Sequence, residues 1–95
     1  MIDEQKLYKM ALDKWGEDAQ FQMVIEECTE LSLAVCKLRR KTGPSLPDKV
    51  EAVAAEIADV RIMLEQLELI LGCQRIAACY RTAKLVRLKE RLADK

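Results

Sequence analysis

Residues 50–71 read VEAVAAEIADVRIMLEQLELIL. In this stretch Val50, Val53, Ile57, Val60, Leu64, Leu67 and Leu71 recur at steps of three and four, the signature of a helix with one apolar seam. No glycine or proline interrupts it, and Gly72 follows at the place where a left-handed residue commonly ends a helix. Upstream, Phe21, Val24, Cys28, Leu31, Val35 and Leu38 repeat the same spacing. Thr42-Gly43-Pro44-Ser45-Leu46-Pro47 is the clear loop between the two seams. Helices predicted over 17–41 and 48–71 are joined too closely to separate, so they lie side by side as an antiparallel hairpin.

Two further helices complete the reading. One runs from about Asp3 to Trp15 and is closed by Gly16; the other covers 73–93. The expectation is an all-α fold, an antiparallel helical bundle of four helices with a short N-terminal one, in a single domain over residues 1–95. Composition agrees: Leu, Ala, Glu, Lys and Arg dominate, whereas three glycines, two prolines and 4% aromatic residues do not suit a β protein.

A chain of 95 residues has a limited core. Met23, Ile25, Leu33 and Ala34 place apolar groups off the seam of the second helix. A helix apolar nearly all round is buried on more than one side, and one short chain has little left to bury it. A homodimer or homotetramer is therefore expected. Sixteen basic residues balance sixteen acidic ones, which leaves no bulk field for gripping a nucleic-acid polymer. Cys28, Cys36, Cys73 and Cys79 form no C-x-x-C pair and there is no histidine, so a zinc site is not expected and the thiols read as small apolar residues in a reducing compartment. The N-terminus has no signal-peptide core and no apolar run approaches spanning length, so a cytoplasmic protein without membrane segments is expected.

The acidic residues break the apolar pattern. In Val24-Ile25-Glu26-Glu27-Cys28-Thr29-Glu30-Leu31, Glu27 and Glu30 stand at i, i+3 on one face, and Glu26 and Glu30 at i, i+4. Glu56-Ile57-Ala58-Asp59 repeats the i, i+3 pair on the next helix, among alanines and Val60. Like charges at these spacings repel, and no base lies one turn from Glu27 or Glu30 to relieve them. Two such pairs facing across a hairpin call for protonation or a cation. Oxygen-only ligands select Mg²⁺, Mn²⁺ or Ca²⁺, and the metal set read here is Glu27, Glu30, Glu56 and Asp59.

At these residues the chain resembles the MazG-like, all-α nucleoside triphosphate pyrophosphohydrolases, which carry E-E-x-x-E followed across a hairpin by E-x-x-D. The motifs here are Glu26-Glu27-Cys28-Thr29-Glu30 and Glu56-Ile57-Ala58-Asp59, with 25 residues between them. The lead-in Trp15-Gly16-Glu17-Asp18-Ala19-Gln20 is similar too, and the likeness fades beyond Leu71. The resemblance implies that Glu27, Glu30, Glu56 and Asp59 hold Mg²⁺, with Mn²⁺ as an alternative. It implies a nucleoside triphosphate cut between its α and β phosphates, in the service of nucleotide-pool clearing. Glu26 is then an outer-shell or second-metal ligand, and Glu26 or Glu30 orients or deprotonates the attacking water.

Triphosphate also calls for cations. Lys37 and Lys41 end the second helix, and Lys84, Arg87 and Arg91 share a face of the last, resembling a K-x-x-R element of the family. Trp15, the sole tryptophan, either stacks on a base or packs the first helix onto the bundle. Ala55 stands where some relatives have a further acid, and Arg61 where they are usually apolar.

Three rival readings remain. A non-catalytic helical module for oligomerisation or partner binding keeps the bundle and treats the acids as solvated surface. A phosphoribosyl-ATP pyrophosphohydrolase-like enzyme shares the acids, but its aromatic-histidine element is missing here. A di-metal redox bundle would add Glu-x-x-His ligands, which a chain without histidine lacks.

Overall fold

The computed structural model describes residues 1–94. Four helices follow one another: α1 (Glu4–Trp15), α2 (Glu17–Arg39), α3 (Leu46–Leu71) and α4 (Gln74–Ala93). No strand occurs among the described residues, and no helix there is long and apolar enough to cross a membrane.

The boundaries have local causes. Asp3 caps α1 by accepting the Lys6 amide at 3.1 Å, and Ser45 accepts the Asp48 amide to start α3, with Pro47 in its first turn. Gly16, at φ 84°, lets the chain turn directly from α1 into α2. Gly72 sits in the left-handed region, and the amides of Gly72 and Cys73 bond back to Leu69 and Glu68, a Schellman ending that satisfies the last carbonyls of α3.

The second helix stops two residues earlier than its sequence pattern predicts, which leaves Lys41 in the loop. Arg40 turns extended, where Pro44, four residues on, has no N–H to continue the helical ladder. The buried Lys49 sends its ammonium to the carbonyls of Arg40 (2.6 Å) and Thr42 (2.8 Å). These charge-assisted bonds satisfy carbonyls at the helix end and in the loop that have no helical amide to accept from. They also set the hairpin's register: Arg40 meets Lys49 at the loop end, while Glu27 meets Asp59 further along.

The α2–α3 pair forms the main packed layer, with α1 against both and α4 touching α3 only. Tyr8 fastens α1 by donating its hydroxyl to Glu65 of α3. That bond, with burial beside it, pushes the Tyr8 phenol up to about 12.

Only part of each seam is covered within one chain. Phe21, Val24, Leu31 and Leu38 are half-buried, as are Val53, Ile57, Val60 and Leu67. Val35, Val50, Leu64 and Leu71 stay 40–57% exposed, and the off-seam Met23, Ile25 and Leu33 are open as well. Met63, off the predicted seam, is buried instead. A hairpin supplies each helix with one close neighbour, so the apolar residues that face elsewhere are left uncovered. The four thiols are free; Cys73 is half-buried and the other three are exposed.

The α4 helix has no buried residue at all. Its Ile76, Tyr80, Leu85, Val86, Leu88 and Leu92 are 48–77% exposed. The chain presents 7990 Å² of accessible surface, against about 5,600 Å² for a compact folded monomer of this mass. Its radius of gyration is 16.7 Å, against about 12 Å for a compact domain of this length.

Replacing Lys49 by Met removes both loop bonds and leaves two carbonyls to find new partners. The expected loss is about 1–3 kcal/mol of unfolding free energy, measured by urea titration. An unchanged midpoint would mean that the loop carbonyls are satisfied by solvent at no cost.

Candidate metal centre

Helical spacing and hairpin register together build the site. On α2 the three-residue step stacks Glu27 and Glu30 on one face, and on α3 the same step stacks Glu56 and Asp59. The antiparallel packing turns the two faces toward each other. Glu27, Glu56 and Asp59 converge: one carboxylate oxygen from each lies within 4.8 Å of the others. Oxygens bound to Mg²⁺ at 2.0–2.1 Å stand roughly 3–4 Å apart, so these three would have to draw slightly closer to share an ion.

Two features mark the group as electrostatically unresolved. Glu56 Oε2 has no accessible surface to speak of and no hydrogen-bond partner among the described residues. A buried carboxylate oxygen without a donor is costly. Glu27, half-buried, has its carboxyl held above the ordinary range, first by desolvation and then by the negative charges of Asp59, Glu56, Glu30 and Glu26. Burial and like charges act in the same direction. A divalent cation on the three oxygens reverses both effects, which is the fit expected of a hard-metal ligand set.

The remaining expected site residues divide by place. Glu30 is exposed and stands one turn beyond the three converging acids. With Glu56 it lines one end of a hollow of about 480 Å³ that runs along the hairpin toward the loop. Ala34 and Ala52 line its middle, and Lys37 and Arg40 its loop end. Glu26 is exposed and outside the converging group.

Lys84 and Arg87 lie with Arg91 along a separate groove on α4. Trp15 is 59% exposed and lines a third hollow, between α1 and α3, beside Leu7, Met10 and Ile62; Lys14 stands 5.5 Å from its ring centre. Neither place shares a lining residue with the acids. Within one chain, therefore, only Lys37 of the expected phosphate ligands borders the acidic hairpin face.

Sequence reasoning passed over two residues here. Arg40 joins Lys37 in the hollow, and the i, i+3 spacing of the two was a readable sign. The loop-closing role of Lys49 had no sign, because its partners are backbone carbonyls of another helix end.

The raised Glu27 carboxyl has a pH consequence. Its folded pKa exceeds its unfolded one, so the folded state holds the proton more tightly and stability falls as pH rises between the two values. In chelator, the thermal midpoint of the wild type should drop as pH climbs from the ordinary glutamate range toward neutrality. Glu27→Gln should flatten that slope; equal slopes in both proteins would remove Glu27 as the group under stress. Compared with family models, curated proteins and solved structures, the chain has no match.

Proposed function

We propose that this chain is a Mg²⁺-dependent nucleoside triphosphate pyrophosphohydrolase of MazG-like type that acts as a homo-oligomer and clears nucleotides from the cytoplasmic pool. The observation that carries the reading is the convergence of Glu27, Glu56 and Asp59, with a buried Glu56 oxygen that has no hydrogen-bond partner among the described residues. The paired motifs from which these residues come add the resemblance to that family.

Glu27, Glu56 and Asp59 are the ligands closest to ready, and Glu30 joins them by rotating inward from the next turn. Mg²⁺ held there would supply positive charge for phosphate oxygens and would make water a better nucleophile. Glu30, at the mouth of the hollow, or Glu26 beside it accepts a proton from the attacking water. The new bond joins the water oxygen to the α-phosphorus, the bridging bond to the β-phosphate breaks, and pyrophosphate departs. The hairpin holds the carboxylates on two rigid helices, which limits the reorganisation needed as charge builds.

The uncovered surface supports the homo-oligomer. A chain about 2,400 Å² in excess of a compact monomer, with α4 exposing apolar residues on more than one side, gains most by burying that surface against a copy of itself. Lys84, Arg87 and Trp15, which stand apart from the acids in one chain, would serve the site from a neighbouring copy. The same apolar surface also supports the rival reading, a helical module that binds a different partner, and metal dependence separates the two.

Pyrophosphate release from a panel of NTPs and dNTPs should require Mg²⁺ and should fall about a hundredfold or more in Glu27→Gln, Glu56→Gln and Asp59→Asn. Full activity in these variants would displace the site. With Mg²⁺ at 100 times its Kd the wild type should gain about 2.7 kcal/mol, read as a higher thermal midpoint, and the variants should gain little; equal midpoints with and without Mg²⁺ would favour the partner-binding module. Sedimentation should give a multiple of 10.9 kDa, reduced toward one chain by Leu85→Asp with Leu88→Asp. A monomeric wild type would remove the homo-oligomer.

A further inference from the structure

The hollow beside the acids has a charge polarity that the carboxylates alone do not explain. Glu30 and Glu56 line one end, Ala34 and Ala52 the middle, and Lys37 and Arg40 the end at the α2–α3 loop. The open middle has a plain cause: two methyl side chains meet there, where larger ones would close the gap. At about 480 Å³ it is within the range of small-molecule sites.

Cations in the last turn of a helix ordinarily serve its exposed carbonyls. Here Lys49 from α3 takes the carbonyls just beyond α2, of Arg40 and Thr42, and Lys37 and Arg40 line the hollow. Asp48 is the one carboxylate at that end, against three cations. The positive balance faces a space whose other end is prepared for a cation.

We infer that the loop end of this hollow is a phosphate subsite: Lys37 and Arg40 bind a phosphate group of the ligand that the metal does not hold. The inference rests on the proposed metal-dependent reading of the acids and adds the direction in which the ligand lies. Seven residues separate Glu30 from Lys37, a rise of about 10 Å along α2, and the lysine stem leans back toward the helix N-terminus and shortens the gap. A phosphate chain spans that interval, and so does a nucleoside phosphorylated at both ends. The shared chemistry is a second phosphate beyond the metal. It is either the terminal phosphate of the triphosphate itself or an additional phosphate on the ribose.

Lys37→Ala with Arg40→Ala tests the subsite, and both side chains are exposed, so the fold should survive; circular dichroism checks this. The first measurement is calorimetric binding of inorganic tripolyphosphate in Mg²⁺, which needs no turnover. Affinity should fall about tenfold or more in the double variant, while the Mg²⁺-induced rise in thermal midpoint stays as in the wild type. Ala52→Leu, which fills the middle of the hollow, should weaken the same binding.

KM for a nucleoside triphosphate, the diphosphate and a 3′-phosphorylated triphosphate then identifies the source. A loss of the triphosphate-over-diphosphate preference assigns the subsite to the terminal phosphate, whereas a loss confined to the 3′-phosphorylated compound assigns it to the ribose. Unchanged tripolyphosphate affinity in the double variant together with an unchanged KM for the 3′-phosphorylated compound, or an equal KM change for all three substrates, overturns the subsite. A wild type that binds tripolyphosphate through these cations without hydrolysing any nucleotide keeps the subsite and removes the hydrolase.

Discussion

The register of α2 against α3 is the constraint on which the rest of this molecule depends, and the buried ammonium of Lys49 pins it. By bonding the carbonyls of Arg40 and Thr42, Lys49 holds the loop and ties the start of α3 to the end of α2. Seven residues further along the same face of α3 comes Glu56, and three beyond it Asp59. A helical step of three or four keeps all of them turned toward α2. The hairpin thus carries cations at its loop end and acids at its middle, with alanines between.

That arrangement works against stability. Desolvation and the neighbouring carboxylates hold the Glu27 carboxyl above its ordinary range, and Glu56 keeps a buried oxygen with no hydrogen-bond partner among the described residues. Local rules that serve folding elsewhere in the chain, such as the Asp3 and Ser45 caps and the Gly72 ending, are set aside here, and the buried Gln20 Oε1 is a second polar atom without a partner among the described residues. Such departures from local consistency concentrate at functional sites.

The uncovered apolar surface belongs to the same picture. Two helices of a hairpin bury one stripe each, and α1 adds a third contact through Tyr8. The α4 helix contributes amphipathic length and no buried residue. Its basic groove of Lys84, Arg87 and Arg91 lies between apolar flanks, so whatever covers the flanks also decides where those cations point.

The sequence by itself determined the helices, their order and the hairpin, because periodicity and the glycine and proline positions are local properties of the chain. It also determined that two acidic pairs share matching spacing, since i, i+3 neighbours occupy one face wherever the helix packs. Tertiary structure decided the rest. It drew Glu27, Glu56 and Asp59 together and left Glu30 a turn away, a consequence of register that no single helix encodes. It left Trp15 open against α1 and α3 rather than near the acids. It also gave Lys49 partners made of backbone, which carry no sequence signature.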